Sequence, residues 1–117
     1  MRKFLAFMIF SLVLISVPAW ADGNMGSGRK SVTSAGTAEA LVASAQPFTL
    51  LTVCADPDNT GKIAVGKTPV ASTTIPQGVL LGANDCYTIE RTYGDVNLVK
   101  IDSTVSGESV TFEWQYR

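Results

Sequence analysis

Val110, Phe112, Trp114 and Tyr116 alternate without a break with Thr111, Glu113, Gln115 and Arg117. A period of two puts successive side chains on opposite faces of an extended chain, so the pattern predicts a strand with one buried, aromatic face and one wetted face. Such a strand needs neighbours to hide that face. The next constraint is Phe48 to Gly66, FTLLTVCADPDNTGKIAVG. Leu50, Leu51, Val53 and Cys54 fill one apolar run, Ile63 and Val65 fill a second, and Asp-Pro-Asp-Asn-Thr-Gly between them has the composition of a turn. The expectation is a hairpin that seeds a sheet.

The rest of the chain keeps the same short rhythm. Ser31 to Ser34 and Ala40 to Ser44 read as two short strands around Ala35-Gly36-Thr37, although Thr37 to Ala45 would also suit a turn or two of helix. Pro47 fixes the entry into the hairpin. Pro69, Pro76, Gly78 and Gly82 break Lys67 to Gly82 into short strands or a meandering loop, whose Val70, Ile75, Val79, Leu80 and Leu81 pack over one end of the sheet. Asn84-Asp85 marks a turn, and Cys86 to Thr92 a strand with Tyr87, Ile89 and Arg91 on one face. Tyr93-Gly94-Asp95 then turns the chain into a strand over Val96 to Ile101, and Gly107-Glu108 precedes the last strand. Turn signals this regular predict an all-β domain, a small antiparallel β-sandwich of jelly-roll-like or Ig-like form with about seven short strands.

The first 21 residues read differently. Arg2 and Lys3 precede an apolar run from Phe4 to Val17, and Pro18-Ala19-Trp20-Ala21 ends in small residues spaced for a signal peptidase. The expectation is a signal peptide over 1–21 with cleavage before Asp22. A retained anchor is the alternative, but the run is shorter than the ~20 residues that span a bilayer as a helix. Asp22 to Ser31, DGNMGSGRKS, has no large apolar side chain after Met25 and reads as a flexible mature N-terminus, leaving one domain over 32–117.

Charge and residue inventory exclude several chemistries. Removing Arg2 and Lys3 from the nine basic residues leaves seven against ten acidic ones, a formal charge of −3. Those seven are scattered, so the expected partners include no nucleic acid and, after cleavage, no membrane. There is no histidine, which takes away the commonest general base and zinc ligand. Without it a serine or threonine nucleophile would need Lys62, Lys67 or Lys100 as its base, and no motif sets one beside a hydroxyl. The carboxylates fall in turns and on wetted faces. The reading is non-enzymatic, with no cofactor.

Cys54 and Cys86 are the two cysteines of an exported domain, and pairing them closes a loop that contributes about 3 to 4 kcal/mol in the chain-entropy account. The alternative is two buried thiols acting as small apolar residues. Asp56, Asp58 and Thr60 lie at alternate positions before Gly61, as oxygen ligands do in an EF-hand loop. The twelfth position is Lys67 where a glutamate would close the site, so a plain turn is expected, with weak Ca2+ binding as the alternative. The candidate interaction surface comprises Asp56, Asp58, Asn59 and Thr60 at the hairpin tip and Tyr93 and Tyr116 at strand ends. Trp114 is assigned to the core.

From Ser31 onward, about three quarters of the chain resembles small tailed-phage virion proteins of the head-decoration, head-fibre or minor structural kind. The resemblance is carried by Val32-Thr33-Ser34-Ala35-Gly36-Thr37, by Ala55-Asp56-Pro57-Asp58-Asn59-Thr60-Gly61-Lys62-Ile63-Ala64-Val65-Gly66, and by Ile101-Asp102-Ser103-Thr104-Val105-Ser106-Gly107-Glu108-Ser109-Val110. It implies a compact β-sandwich that binds a virion surface or its own copies as a homo-oligomer, without catalytic residues. A leader is foreign to a part that assembles in the cytoplasm. Three accounts compete: translation from Met25, a virion protein sent to the periplasm, or an exported bacterial module for glycan or host surface that shares the sandwich.

Overall fold

The computed structural model describes residues 24–67, 70 and 78–117. The leader expected over 1–21, and the Lys67 to Gly82 stretch at 68–69 and 71–77, lie outside the described residues. Among the described residues eight strands follow one another: β1 (Met25–Ser31), β2 (Glu39–Ala40), β3 (Pro47–Ala55), β4 (Ile63–Gly66), β5 (Val79–Leu81), β6 (Cys86–Asp95), β7 (Lys100–Ser103) and β8 (Ser109–Gln115). A single 3-10 turn, Val96–Leu98, joins β6 to β7 and takes the place of the first half of the strand expected from Val96.

They form two antiparallel sheets, ordered β1-β8-β3-β6 and β2-β7-β4-β5. The partners 1 with 8, 2 with 7, 3 with 6 and 4 with 5 are those of one long two-stranded ribbon folded over on itself. This is the jelly-roll form of the sandwich. Among the described strands only β4 and β5 are consecutive and paired.

The central hairpin is therefore corrected. β3 lies between β6 and β8, and β4 lies between β5 and β7 in the other sheet, so the two apolar runs share no ladder. Asp56 to Lys62 is a bridge between sheets, long enough to cross the ~10 Å that separates packed layers. Turn-rich composition marks where a chain changes direction, without naming the strand it will join.

The N-terminal boundary is corrected as well. Met25–Ser31, read as part of a flexible stretch, pairs with β8 along its length, from Met25 opposite Gln115 to Ser31 opposite Ser109. The cause lies in the partner strand. Trp114 and Phe112 stand opposite Gly26 and Gly28, and a Cβ on either glycine would lie 2.4 Å and 2.6 Å from the respective ring. The rings of β8 supply the apolar cover that β1 lacks.

Inward residues of both sheets make one core. Phe48, Leu51, Val53, Ile63, Val65 and Ile101 are among its fully buried members. Burying each fully is worth about 1.5–3 kcal/mol before chain entropy is set against it. Val110 and Phe112 fill the β8 side as alternation predicts, and Trp114 packs half-buried at the core's margin. From Val32 to Gln46 the chain runs through turns and bends apart from β2, so neither the strand Ser31 to Ser34 beyond its first residue, nor the strand Ala40 to Ser44, nor a helix over Thr37 to Ala45 forms, and Gly36 N–H donates to Asp102 Oδ1 at 2.8 Å, which fastens this loop onto the second sheet.

Candidate functional site

The register separates the candidate residues into two groups at opposite ends of the sandwich. Asp56, Asp58, Asn59 and Thr60 follow β3 at the end where Cys54 faces Cys86. Tyr93 and Tyr116 lie at the other end, where Pro47 faces Asp95 and Leu50 faces Gln115.

The first group is bound into the fold more than it is offered to solvent. The Asn59 side-chain amide donates to Ser109 O at 2.8 Å and accepts from Ser109 N–H at 3.2 Å, taking the place of a neighbouring strand. Asp56 is buried and ion-paired with Arg29. Glu108 Oε1 accepts from Thr60 N–H at 2.7 Å, the Thr60 hydroxyl at 2.9 Å and Gly61 N–H at 2.8 Å. Burial acts to raise the pKa of this carboxyl. The hydrogen bonds from Gly61 and Thr60 outweigh burial and hold it below the ordinary glutamate value. Its second oxygen, Oε2, is buried without a partner.

Of the tip residues, then, Asp58 and Thr60 remain exposed and Asp56 does not. At the tip the Thr60 hydroxyl donates to Glu108 and Asp56 is ion-paired with Arg29. Among the described residues no three Cys, Asp or Glu side chains gather to hold a metal ion. Beside this tip, a serine fixes the loop before β8: Val105 N–H donates to Ser103 Oγ at 3.0 Å and the Ser103 hydroxyl donates back to Val105 O. Val105 is left 42% exposed. Lys62 N–H donates to Thr104 Oγ1 at 3.0 Å, so this loop and the tip form one surface.

At the other end, β6 carries a bulge. Phe48 faces Gly94 and Leu50 faces Glu90, so Arg91, Thr92 and Tyr93 stand opposite Thr49 alone. Extra residues on one strand re-aim side chains, and Tyr93, expected in a turn, sits on the strand with 89% of its surface exposed. Tyr116 is 37% exposed. Below Tyr93 a cleft of about 230 Å³ opens between the sheets, walled by Tyr87, Ile89, Leu98 and Val99 and flanked by Arg91 and Lys67. Leu98 is half-exposed on the Val96–Leu98 turn, which Asp95 caps by accepting from Asn97 N–H at 2.9 Å. Among the described residues neither Arg91 nor Lys67 joins an ion pair. Arg91, Leu98 and Glu108 carry no mark in the sequence that assigns them to a site. The bulge depends on cross-strand register, for which no local signal exists, and Leu98 looked like a strand residue.

Cys54 and Cys86 form a disulfide between directly paired residues of β3 and β6, with Cα atoms 4.0 Å apart. It fastens the edge strand at the end away from the bulge.

No protein-family model matches the chain. No curated protein and no solved structure matches it.

Proposed function

We propose that this chain is a non-enzymatic structural protein of the virion-surface or decoration kind, acting through contacts with other proteins and with its own copies. The observation that supports this most directly is the inequality of the sheet edges. The edges of one sheet are strands of only two and three residues, β2 and β5, whereas those of the other are β1 with seven and β6 with ten. Short edges resist strand addition, and long ones with unpaired backbone groups invite it. A jelly roll whose β1 edge is regular along its length, and whose β6 edge is regular from Cys86 to Glu90 before its bulge, suits a particle surface where each copy touches several neighbours, and the resemblance to tailed-phage virion proteins agrees with that use.

The second reading is an exported module for a glycan or host surface, favoured by Tyr93 standing exposed beside Arg91 over the cleft. Either expected N-terminus, Asp22 or Met25, leaves β1 whole. Peptide mass spectrometry of purified phage particles from the source cells separates the two. Recovery of the chain from particles in a fixed copy ratio supports the virion reading. Recovery only from periplasm or medium, with an N-terminus at Asp22, overturns it in favour of the second.

A further inference from the structure

We propose that the two ends of the sandwich are complementary, and that the cleft under Tyr93 receives the Val105 loop of a second copy, so that copies add head to tail. This rests on the reading that the protein works by protein contacts, and names the partner and the geometry.

The charges lie unevenly along the molecule. Lys67, Arg91, Lys100 and Arg117 outnumber Glu90 and Asp95 at the bulge end. At the other end exposed Asp58 and Asp85 outnumber Lys62, while the Arg29–Asp56 and Lys30–Glu39 pairs are each neutral and Glu108 is buried. Opposite potentials on the two ends steer encounter and fix which surface meets which. The shapes agree with the charges. The cleft begins at the basic end under Tyr93 and runs between the sheets along β6 toward Tyr87, with Ile89, Leu98 and Val99 on its walls, and the acidic end carries an exposed valine on a loop that Ser103 holds in place. A cleft of about 230 Å³ falls below the ~300–1,000 Å³ of sites that enclose drug-sized ligands, and accommodates one or two aliphatic side chains. A preordered loop also loses little freedom on docking.

Because the two patches differ, the contact is heterologous and repeats into a ring or filament instead of stopping at a dimer. Sedimentation of the full mature chain tests this over a concentration series at low and high salt. The weight-average mass is expected to rise about twofold or more with concentration, and to return toward the monomer at about 1 M salt, where the screening length falls to ~3 Å. Arg91→Ala with Tyr93→Ser blocks one end, and Asp58→Asn with Val105→Ser blocks the other. All four positions are exposed, and circular dichroism is the check that each variant folds. Each double variant alone should stay monomeric, and an equal mixture should form dimers and nothing larger, since each partner keeps one working end. A wild-type chain that stays monomeric, a one-end variant that still associates, or a mixture that remains monomeric overturns the proposal. A monomer nevertheless found in purified particles overturns this docking and leaves the virion reading standing.

Discussion

Glu108 Oε1 takes three hydrogen bonds from Thr60 and Gly61 while Oε2 is buried and takes none, so the side chain does more for its neighbours than for itself. Glu108→Ala leaves two backbone N–H groups and a hydroxyl to find new partners. The expected loss is about 2 kcal/mol, since hydrogen bonds to charged groups are worth ~1.5–3 each and water recovers part. In a domain of this size that lowers the melting midpoint by roughly 10 °C, which a thermal melt measures. Glu108→Gln keeps an oxygen acceptor and should lose less. Its pH profile is the sharper test. The native carboxyl titrates below the ordinary value and the unfolded one at it, so on acidification the unfolded chain takes up the proton first. The stabilisation is complete above about pH 4.5 and disappears as the pH falls through the lower native value. Glu39, also lowered because bonds from Thr33 and Lys30 outweigh its burial, adds a share with the same sign. Urea midpoints of wild type and Glu108→Gln should converge on acidification from pH 6 to pH ~3. Parallel curves would contradict the role assigned to Glu108.

At the scale of elements, β8 was legible because one strand carries both halves of its own pattern, with Val110, Phe112 and Trp114 turned inward and Thr111 and Glu113 outward. β1 was not, because its inward residues include Gly26 and Gly28 and its apolar cover belongs to β8. The bridge from β3 to β4 was half legible: Asp56 to Gly61 does turn the chain, but pairing is decided by strands tens of residues away. The cysteine pairing was within reach because a count of two admits one intrachain bridge. The bulge under Tyr93 left no local trace. The assignment of β1 to the sheet makes a definite prediction. Gly28→Val sets its branched side chain where the Phe112 ring lies and should cost about 1–3 kcal/mol by overpacking, whereas Ser27→Val, one residue away on the open face, should stay within ~0.5. Equal, small effects in urea denaturation would return Met25–Ser31 to the status of a loose tail.

For the whole molecule the folded ribbon suggests an order of events. β4 and β5 form its local tip, β3 with β6 lies further along, and β1 with β8 joins residues such as Ser31 and Ser109, 78 positions apart. Loop-closure entropy must be met before distant contacts return anything, so formation from the tip outward is the route of least opposition, and the many non-local pairings place refolding in the millisecond-to-second range. The disulfide spans 32 residues and pre-joins β3 to β6, a pairing that this order puts early. Replacing both cysteines by serine should therefore slow refolding, with most of its ~3 kcal/mol destabilisation in the folding limb of a chevron. Gly28→Val disturbs the pairing that forms last and should chiefly speed unfolding. Stopped-flow chevrons of the two variants decide the order, and the opposite partition, with the β1 variant slowing folding and the cysteine variant speeding unfolding, would mean that the ribbon closes from its open ends toward its tip.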